Sequence, residues 1–415
     1  MTFVDAEFPV FWESAEGVNV WDVDGNRFLD LTSAFAVASL GHNAPGPRAA
    51  LLAQAERLIH AMGDVHPTEG KVRLCERLGE LTFGRWLGQP GKVVLCGSGF
   101  EAVEAALKTA LLFSKGKRPG VIAFTGAYHG LGYGALEVGG LPYFREPFRA
   151  QLKDFATLLP YPAGATADLE KLDAALRDTL GRRGGDRIGA ILVEPAQGRG
   201  GEVFPPREFL PLLRTVCDAH GLLLIADEIY TGFNRTGALF ACDHSGVVSD
   251  LICLGKALTG GFPLSACVGR AELMDTAWPE SSGEALHTST FLGHPLGCAM
   301  ALAALEEHAQ PETAAGVARA GERLLAALRA VRSPKIKAVR GRGLMLGVEL
   351  DAAGGGDLAV RVVKRALRDG VLLLAGGPAG NVLSFTPPFG LADDEIAFVG
   401  ARLQEYLTFL SGSSS

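Results

Sequence analysis

The pattern of apolar and polar residues predicts short strands that alternate with longer helices. Five runs of four to six mostly apolar residues are too short for typical helices, so we predict strands. They are Val93–Cys96, Val121–Phe124, Ile188–Val193, Leu222–Ala226 and Leu251–Leu254. The last two runs are wholly apolar, which is typical of a parallel sheet buried on both faces. A helix with apolar and charged faces is predicted from Glu101 to Phe113.

Reactive side chains follow two of these strands. Asp227 comes directly after Leu222–Ala226, and Lys256 comes two residues after Leu254. Open α/β sheets bind ligands at the carboxyl ends of their strands. A buried aspartate and a lysine there suit pyridoxal phosphate (PLP): the lysine forms a Schiff base with its aldehyde, and the carboxylate keeps its ring nitrogen protonated. A structural ion pair is the alternative that these two residues alone leave open.

A glycine-rich turn, Gly97–Gly99, separates the first strand from the helix that follows it. Free backbone N–H groups and the positive end of the helix dipole bind phosphate at such a turn. The turn also matches the G-x-G-x-x-A fingerprint of dinucleotide sites. That fingerprint needs an acid about 20 residues further on, after the next strand. This chain has Thr125 and Gly126 there, so a dinucleotide site is disfavoured.

Several motifs resemble those of the class III aminotransferases, the PLP-dependent ornithine, 4-aminobutyrate or omega type. They are DEI and TGFNRTG within 227–237, GKAL and GGFPL within 255–264, the aromatic-His-Gly motif at 128–130, and EPAQGRGG at 194–201. The resemblance covers nearly the whole chain. It implies PLP-dependent transferase fold type I, an α/β fold in which a large domain with a mixed, mostly parallel sheet is joined to a small α/β domain.

The resemblance also implies roles for individual residues. Lys256 and Asp227 would be catalytic, with Lys256 acting as both cofactor anchor and general base. Tyr128 and Ile229 would sandwich the cofactor ring, and Tyr230, which replaces the family's common glutamine, could bond the cofactor hydroxyl. The implied cofactor-binding residues are Ser98, Gly99, Phe100, Tyr128, His129, Glu194, Asp227, Ile229, Tyr230, Lys256 and Thr290.

Thr290 carries the expectation of a partner. The segment at 287–296 resembles the family stretch whose threonine reaches the phosphate of the neighbouring subunit's cofactor, and Thr290 is the matching residue. The resemblance therefore implies a homodimer with shared active sites. From the residues alone, Thr290 could instead cap the helix predicted from Pro295 to Glu307.

The substrate side departs from the family pattern. Members that use 2-oxoglutarate bind its carboxylate with an arginine before the C-terminal Pro-Pro, and a glutamate holds that arginine aside. Here Ser384 stands at the arginine position and Arg199 at the glutamate position. Either Arg199 supplies the carboxylate clamp from the opposite wall, with Arg235 or another arginine as the alternative, or the substrate pair is unusual. Phe35 is the second candidate substrate residue, with core packing as its alternative.

The reaction implied by the resemblance is ping-pong transamination. An amino group passes from an amine or amino acid to a keto acid through the Schiff base of Lys256. A PLP-dependent racemase or aminomutase is the alternative activity, because it shares every cofactor residue named above.

The later part of the chain predicts a smaller α/β unit. Its elements are helix Ala314–Val331, strand Leu344–Leu350, helix Leu358–Asp369, strands Val371–Leu374 and Val382–Phe385, and a helix from Asp393. An Asp-Gly-Asn turn predicts a hairpin from Trp21 to Asp30 that opens the N-terminal part. We predict residues 1–50 and 306–415 as the small domain and 51–305 as the large PLP-binding domain. Ser411–Ser415 is predicted to be a frayed end.

Composition indicates a globular protein that binds small molecules. The 39 basic and 46 acidic residues give a net charge of −7 without a basic block, which argues against nucleic acid and anionic membrane as partners. The chain has no apolar run of bilayer length and no signal peptide pattern at its N-terminus. Seven cysteines without a C-x-x-C pair fit reduced thiols in a cytoplasmic enzyme, and no metal site is predicted.

Overall fold

The structure is a computed structural model that describes residues 10–182, 185–281, 283–351 and 354–409. The predicted frayed end, Ser411–Ser415, and the first nine residues lie outside the described residues. The strands are β1 (Trp12–Glu16), β2 (Asn19–Asp22), β3 (Arg27–Asp30), β4 (Lys92–Cys96), β5 (Gly120–Phe124), β6 (Ala156–Leu159), β7 (Ile188–Val193), β8 (Leu223–Asp227), β9 (Leu251–Leu254), β10 (Ser265–Gly269), β11 (Ile336–Arg342), β12 (Met345–Leu350), β13 (Val371–Leu372), β14 (Leu374–Gly376) and β15 (Val382–Phe385).

The helices are α1 (Ser33–Ala36), α2 (Pro45–Arg57), α3 (Glu69–Gly79), α4 (Arg85–Leu87), α5 (Gly99–Phe113), α6 (Tyr133–Glu137), α7 (Pro142–Arg145), α8 (Leu169–Arg182), α9 (Phe209–His220), α10 (Ala271–Ala277), α11 (Pro295–His308), α12 (Pro311–Ala330), α13 (Gly355–Arg368) and α14 (Asp393–Phe409). Within the described ranges, the helices include none that is both long and apolar enough to cross a membrane.

The central sheet has seven strands in the order β4-β10-β9-β8-β7-β5-β6. Strand β10 runs antiparallel to its two neighbours, while the pairs from β9 to β6 are parallel. The predicted mixed, mostly parallel sheet is therefore confirmed. All five predicted strands belong to it, so their carboxyl ends are brought to defined edges of one sheet.

Both faces of this sheet are buried, as the wholly apolar runs predict. Along β8, Leu224 and Ala226 join the core beneath one face, and Leu223 and Ile225 join the core under α5 on the other. Side chains of a strand point alternately to the two faces, so a strand covered on both sides needs apolar residues at every position.

A second core lies between two smaller sheets, each of four strands, in the orders β1-β2-β3-β13 and β11-β12-β15-β14. Val18, Leu29 and Leu31 from the N-terminal part pack there with residues of α12, α13 and α14. The two ends of the chain thus share one core. The small α/β unit is confirmed, and so is the N-terminal hairpin of β2 and β3; the domain boundaries at 50 and 305 stay predictions.

The single strand predicted for Val371–Leu374 is wrong. The chain changes sheets within this run: Val371 and Leu372 pair with β3, whereas Leu374 begins β14, which pairs with β15. Val371 and Leu373 pack in the same core, so the run stays apolar where the chain changes sheets. The hydrophobic pattern therefore does not show the change of partner.

Arg235 ties the large sheet's loops to both chain ends. Its side chain is fully buried, and Nη1 donates to the carbonyl oxygens of Leu344 at 3.0 Å and Pro387 at 2.7 Å. Nη2 donates to the hydroxyl of Ser39 at 2.7 Å. Burial lowers the pKa of Arg235 to about 10. Because Nη1 and Nη2 are engaged by backbone and hydroxyl oxygens, Arg235 acts as a structural link.

Candidate active site

A cavity of about 710 Å³ opens where the carboxyl ends of β5, β7, β8 and β9 meet. The predicted residues that line it are Phe35, Gly99, Phe100, Tyr128, His129, Glu194, Arg199, Asp227, Ile229, Tyr230 and Lys256. Ser98 and Thr290 are not among the described residues that line it. Gly130, Leu131 and Phe144 do line it, and sequence reasoning missed them.

Asp227 ends β8 and is almost completely buried, with 3% of its surface exposed. Its Oδ2 lies 2.7 Å from Nδ1 of His129, and its Oδ1 accepts a hydrogen bond from the N–H of Ile229 at 3.1 Å. Burial alone would lower the pKa of His129, but the bond and charge of Asp227 raise it. The carboxylate is therefore held in one orientation by neighbours on two loops.

Lys256 emerges three residues beyond the position in β9 that pairs with Asp227, since Asp227 lies opposite Cys253. Burial lowers the pKa of the Lys256 amine, while the charges of Asp227 and Glu194 partly offset this and that of Arg199 adds to it. A lower pKa increases the share of neutral amine, which is the nucleophilic form. The φ angle of Lys256 is 45°, a left-handed backbone conformation uncommon outside glycine and often found at functional sites.

Glu194 joins two of the loops around the cavity. Its Oε1 accepts from the N–H of Tyr128 at 2.8 Å, and its Oε2 accepts from the N–H of Gly198 at 3.2 Å. Burial raises the pKa of Glu194 to about 7. The side chain thus fixes the loop that presents Tyr128 and contributes an acidic group that titrates near neutral pH.

The amino end of α5 is the place where the sequence predicts a phosphate cradle. Oε2 of Glu101 accepts from the N–H groups of Gly97 and Ser98, each at 2.8 Å, and from the Ser98 hydroxyl at 3.1 Å. The N–H groups of Gly99 and Phe100 follow in the first helical turn, where no intrahelical acceptor exists. Ser98 therefore braces the turn with its side chain, while the next two residues offer their backbone donors.

Two glycines make room for the bulky residue in this turn. A Cβ atom on Gly130 would lie 2.3 Å from Cβ of Phe100, and one on Gly132 would lie 2.4 Å from the Phe100 ring. Gly130 also has a φ of 109°, which side chains rarely allow. The departure of Phe100 from the family's small residue is thus matched by space in the neighbouring loop.

Arg199 stands at the cavity wall against two aromatic rings. Its guanidinium carbon lies 5.7 Å from the centroid of the Tyr128 ring and 5.5 Å from that of Phe144. Phe144 is carried by α7, which is fixed by a buried pair between Arg145 and Glu137, 3.3 Å apart. Within the described residues, Arg199 has no carboxylate partner. Its charge is therefore held in place by aromatic faces and stays available to a ligand.

Phe35 reaches the cavity from a left-handed turn. The four residues of α1 all have φ between 46° and 66°, and each such residue costs ~1–3 kcal/mol. Asp30 holds the turn by accepting from the N–H groups of Thr32 at 2.7 Å and Ala34 at 3.1 Å. Phe35 lines the cavity and is 60% exposed, so the core-packing alternative is wrong.

The hydroxyl of Tyr230, predicted to bond the cofactor hydroxyl, has a partner within the chain. The hydroxyl donates to Oε1 of Glu202 at 3.0 Å, and Ser384 also bonds this carboxyl group. Burial raises the pKa of Glu202 to about 8. Glu202 was missed by sequence reasoning because it sits in a loop after two glycines, with no apolar pattern around it.

Thr290 lies outside this cavity, on the exposed segment before α11. The alternative that Thr290 caps α11 is wrong, because the N-cap residue is His294, whose Nδ1 accepts from the N–H of Leu296 at 3.3 Å. Thr290 is therefore a surface residue, and not a helix cap, in the single chain.

Comparison with known proteins agrees with this geometry. The profile of the family described as aminotransferase class-III matches residues 3–407. An acetylornithine aminotransferase from Methanopyrus kandleri is 36% identical over 97% of this chain and 95% of its own length. The 4-aminobutyrate aminotransferase GabT of Escherichia coli is 35% identical over 94% of this chain and 91% of its own length.

Solved structures give the same result. An amine transaminase from an uncultivated Pseudomonas species, in a PLP-bound form, has a TM-score of 0.90 and 30% identity and covers 99% of this chain and 97% of its own. The ornithine aminotransferase of Toxoplasma gondii has a TM-score of 0.85 and 32% identity, over 99% and 93%. Amino-group transfer is thus favoured over racemase or aminomutase activity, and the chain belongs to the class III aminotransferase family.

Proposed function

We propose that this chain is a PLP-dependent transaminase that takes an amino group from an amine or amino acid and passes it to a keto acid at the same site. The observation that carries the proposal is the placement of Lys256 and Asp227 on neighbouring strand ends around one cavity. A ping-pong reaction needs only one such site, because the two substrates occupy it in turn.

The residues around the cavity fit PLP. Asp227 is a buried carboxylate that can pair with a protonated ring nitrogen, and the first turn of α5 offers backbone donors to a phosphate. Tyr128 and Ile229 supply apolar surface for the ring. When bound, PLP supplies an aldehyde that accepts the amino group and a ring that accepts an electron pair from the substrate carbon.

Lys256 would hold the cofactor through its amine and later carry the proton. Once an amino substrate has displaced it, the amine of Lys256 is free to take a proton from the substrate carbon. Burial lowers its pKa, so the free amine is more often neutral and able to accept that proton. Asp227, held by His129, would supply the charge that keeps a proton on the ring nitrogen.

Replacing Asp227 tests this assignment. Asp227→Asn keeps the shape of the side chain but removes the charge that holds a proton on the ring nitrogen. We expect turnover to fall on the order of a hundredfold, about 2.7 kcal/mol in activation free energy, with cofactor still bound. Steady-state kinetics and cofactor absorbance measure the two effects separately. The control is Asp243→Asn, which removes the charge of a carboxylate that binds Arg85. Turnover of Asp227→Asn within a few fold of the parent would show that Asp227 does not hold the proton on the ring nitrogen.

We also propose a homodimer in which Thr290 serves the partner's site. Thr290 lies on an exposed segment away from its own cavity, and large apolar side chains are exposed on the same segment and on the stretch after α2. They are Ile59, Met62, Val65, Leu286 and Phe291, each at least 60% exposed. An apolar patch of this kind is typical of a protein interface, and a second copy of the chain would cover it.

Mixing two inactive variants tests the shared site. A dimer of one Lys256→Ala subunit and one Thr290→Asp subunit has both lesions in one site and none in the other, if Thr290 acts across the interface. Random mixing in equal amounts leaves about a quarter of the sites intact, so we expect about a quarter of the parent's activity. Mixing Lys256→Ala with Asp227→Ala is the control, because every site then has a lesion. Absence of recovery in proven heterodimers would place Thr290 outside the partner's site.

We propose that Arg199 binds the carboxylate of the substrate. Its guanidinium lies at the cavity wall, stacked against Tyr128 and Phe144, without a carboxylate partner among the described residues. Arg235, the alternative arginine, is fully buried, is not among the described residues that line the cavity, and donates through Nη1 and Nη2 to other groups. A guanidinium and a carboxylate form two parallel charged hydrogen bonds, which favours carboxylate substrates over simple amines.

Removing this charge should separate the two substrate types. For Arg199→Ala we expect KM to rise at least about tenfold, near 1.4 kcal/mol, with substrates that carry a carboxylate and to stay unchanged with simple amines. Arg207→Ala removes an equal charge from an exposed residue outside the cavity and should behave as the parent. KM values unchanged from the parent for both substrate types in Arg199→Ala would show that this arginine does not bind the carboxylate.

We further propose a cytoplasmic enzyme. All seven cysteines are free thiols in the structure, and all except Cys75 are buried. Free thiols in this number are typical of proteins from reducing compartments.

A further inference from the structure

Glu202 is a buried acid that the proposed reaction does not use. It is 1% exposed and lies in the loop after β7. Its Oε1 accepts from the Tyr230 hydroxyl at 3.0 Å, and Ser384 bonds the same carboxyl group. Its Oε2 has no partner within the described residues. An acid buried without a cation is costly, and such groups are frequent at functional sites.

The cations nearest to Glu202 are engaged with other groups. Arg235 gives Nη1 and Nη2 to carbonyl and hydroxyl oxygens, its Nε has no partner within the described residues, and its charge only partly offsets the effect of burial on the pKa of Glu202. Arg340 donates through Nε to the main-chain carbonyls of Gly201 at 3.1 Å and of Glu202 itself at 3.0 Å. The backbone of Glu202 is thereby clamped, with a left-handed φ of 51°. The carboxyl group is therefore a fixed acceptor for the Tyr230 hydroxyl.

Anchoring its hydroxyl fixes the Tyr230 ring. One side of the ring packs against Gly198, where an added Cβ atom would lie 2.8 Å from ring carbons. The Lys256 amine lies 5.2 Å from the ring centroid. An aromatic face attracts a cation at this distance, so the ring favours the amine when it carries a proton. The other charged groups that act on Lys256 are Asp227, Glu194 and Arg199.

We propose that Glu202 is a positioning residue that holds the Tyr230 ring against the Lys256 amine and so stabilises this amine while it carries the proton taken from the substrate. Nζ of Lys256 takes the proton from the substrate carbon and would release it to the cofactor carbon that carries the amino group. Glu202 neither gains nor loses a proton. This inference rests on the proposed role of Lys256. It assigns the ring of Tyr230, and not its hydroxyl, to the reaction.

Three variants separate anchoring from charge. Glu202→Gln keeps an oxygen acceptor for the Tyr230 hydroxyl without the charge. Glu202→Leu keeps the bulk and removes the acceptor, and Tyr230→Phe keeps the ring and removes the donor. In the holoenzymes, the pH midpoint of the visible cofactor absorbance reports loss of the proton from the Lys256 nitrogen. The kinetic isotope effect with substrate deuterated at the reacting carbon reports the proton transfer.

We expect Glu202→Leu and Tyr230→Phe to lower the pH midpoint by about half a unit, because the protonated Lys256 nitrogen no longer faces a ring that is held in place. Both should also raise the isotope effect, since proton transfer becomes slower relative to the other steps. Glu202→Gln should restore the parent's midpoint and isotope effect. A merely structural role would lower the melting temperature without moving either readout.

Parental values in Glu202→Leu, or in Tyr230→Phe if the first variant does not fold, would overturn the proposal. So would a Glu202→Gln midpoint as low as that of Glu202→Leu, because charge and not anchoring would then be responsible. Failure of the proposed function itself looks different: the parent holoenzyme would then show no titration that disappears in Lys256→Ala.

Discussion

The active site depends on one buried contact, the 2.7 Å bond between His129 and Asp227. A carboxylate with only 3% exposure is stable only when polar neighbours satisfy it. His129 comes from the loop after β5 and Asp227 from the end of β8, so the bond joins two loops that cover the same sheet edge. The parallel pairing of β8 with β9 then sets the position of Lys256 relative to this acid. The chemistry of the cavity follows from that arrangement.

Other charged or acidic side chains also lie in the cavity or contact a residue that lines it. Glu194 lines the cavity and Glu202 accepts from the Tyr230 hydroxyl, and burial raises their pKa values to about 7 and about 8. Arg199 stands against aromatic rings at the cavity wall. Lys256 lies among them, with its pKa lowered by burial. The lowered pKa lets the Lys256 amine take up and release a proton at little cost, which is what a proton carrier between two carbon atoms requires.

Much of this could be predicted from local sequence. A short apolar run followed by Asp227 or Lys256 predicts both the strand and the reactive residue at its end, and β7 and β9 match their predicted bounds. Phe144 and Glu202 could not be predicted, because their importance lies in contacts with Arg199 and Tyr230 that only the folded chain creates. The change of sheets at Val371–Leu374 was missed for a related reason, since hydrophobicity reports burial but not the pairing partner.

Chemical mapping of the holoenzyme can identify the lysine that holds the cofactor. Borohydride reduction of the holoenzyme fixes a cofactor bound through its aldehyde onto the lysine that holds it, and peptide mass mapping then locates that lysine. We expect the added mass on the peptide that contains Lys256 and none in the Lys256→Ala protein. Added mass on a different lysine, or on none in a protein that is active and contains PLP, would show that Lys256 does not hold the cofactor.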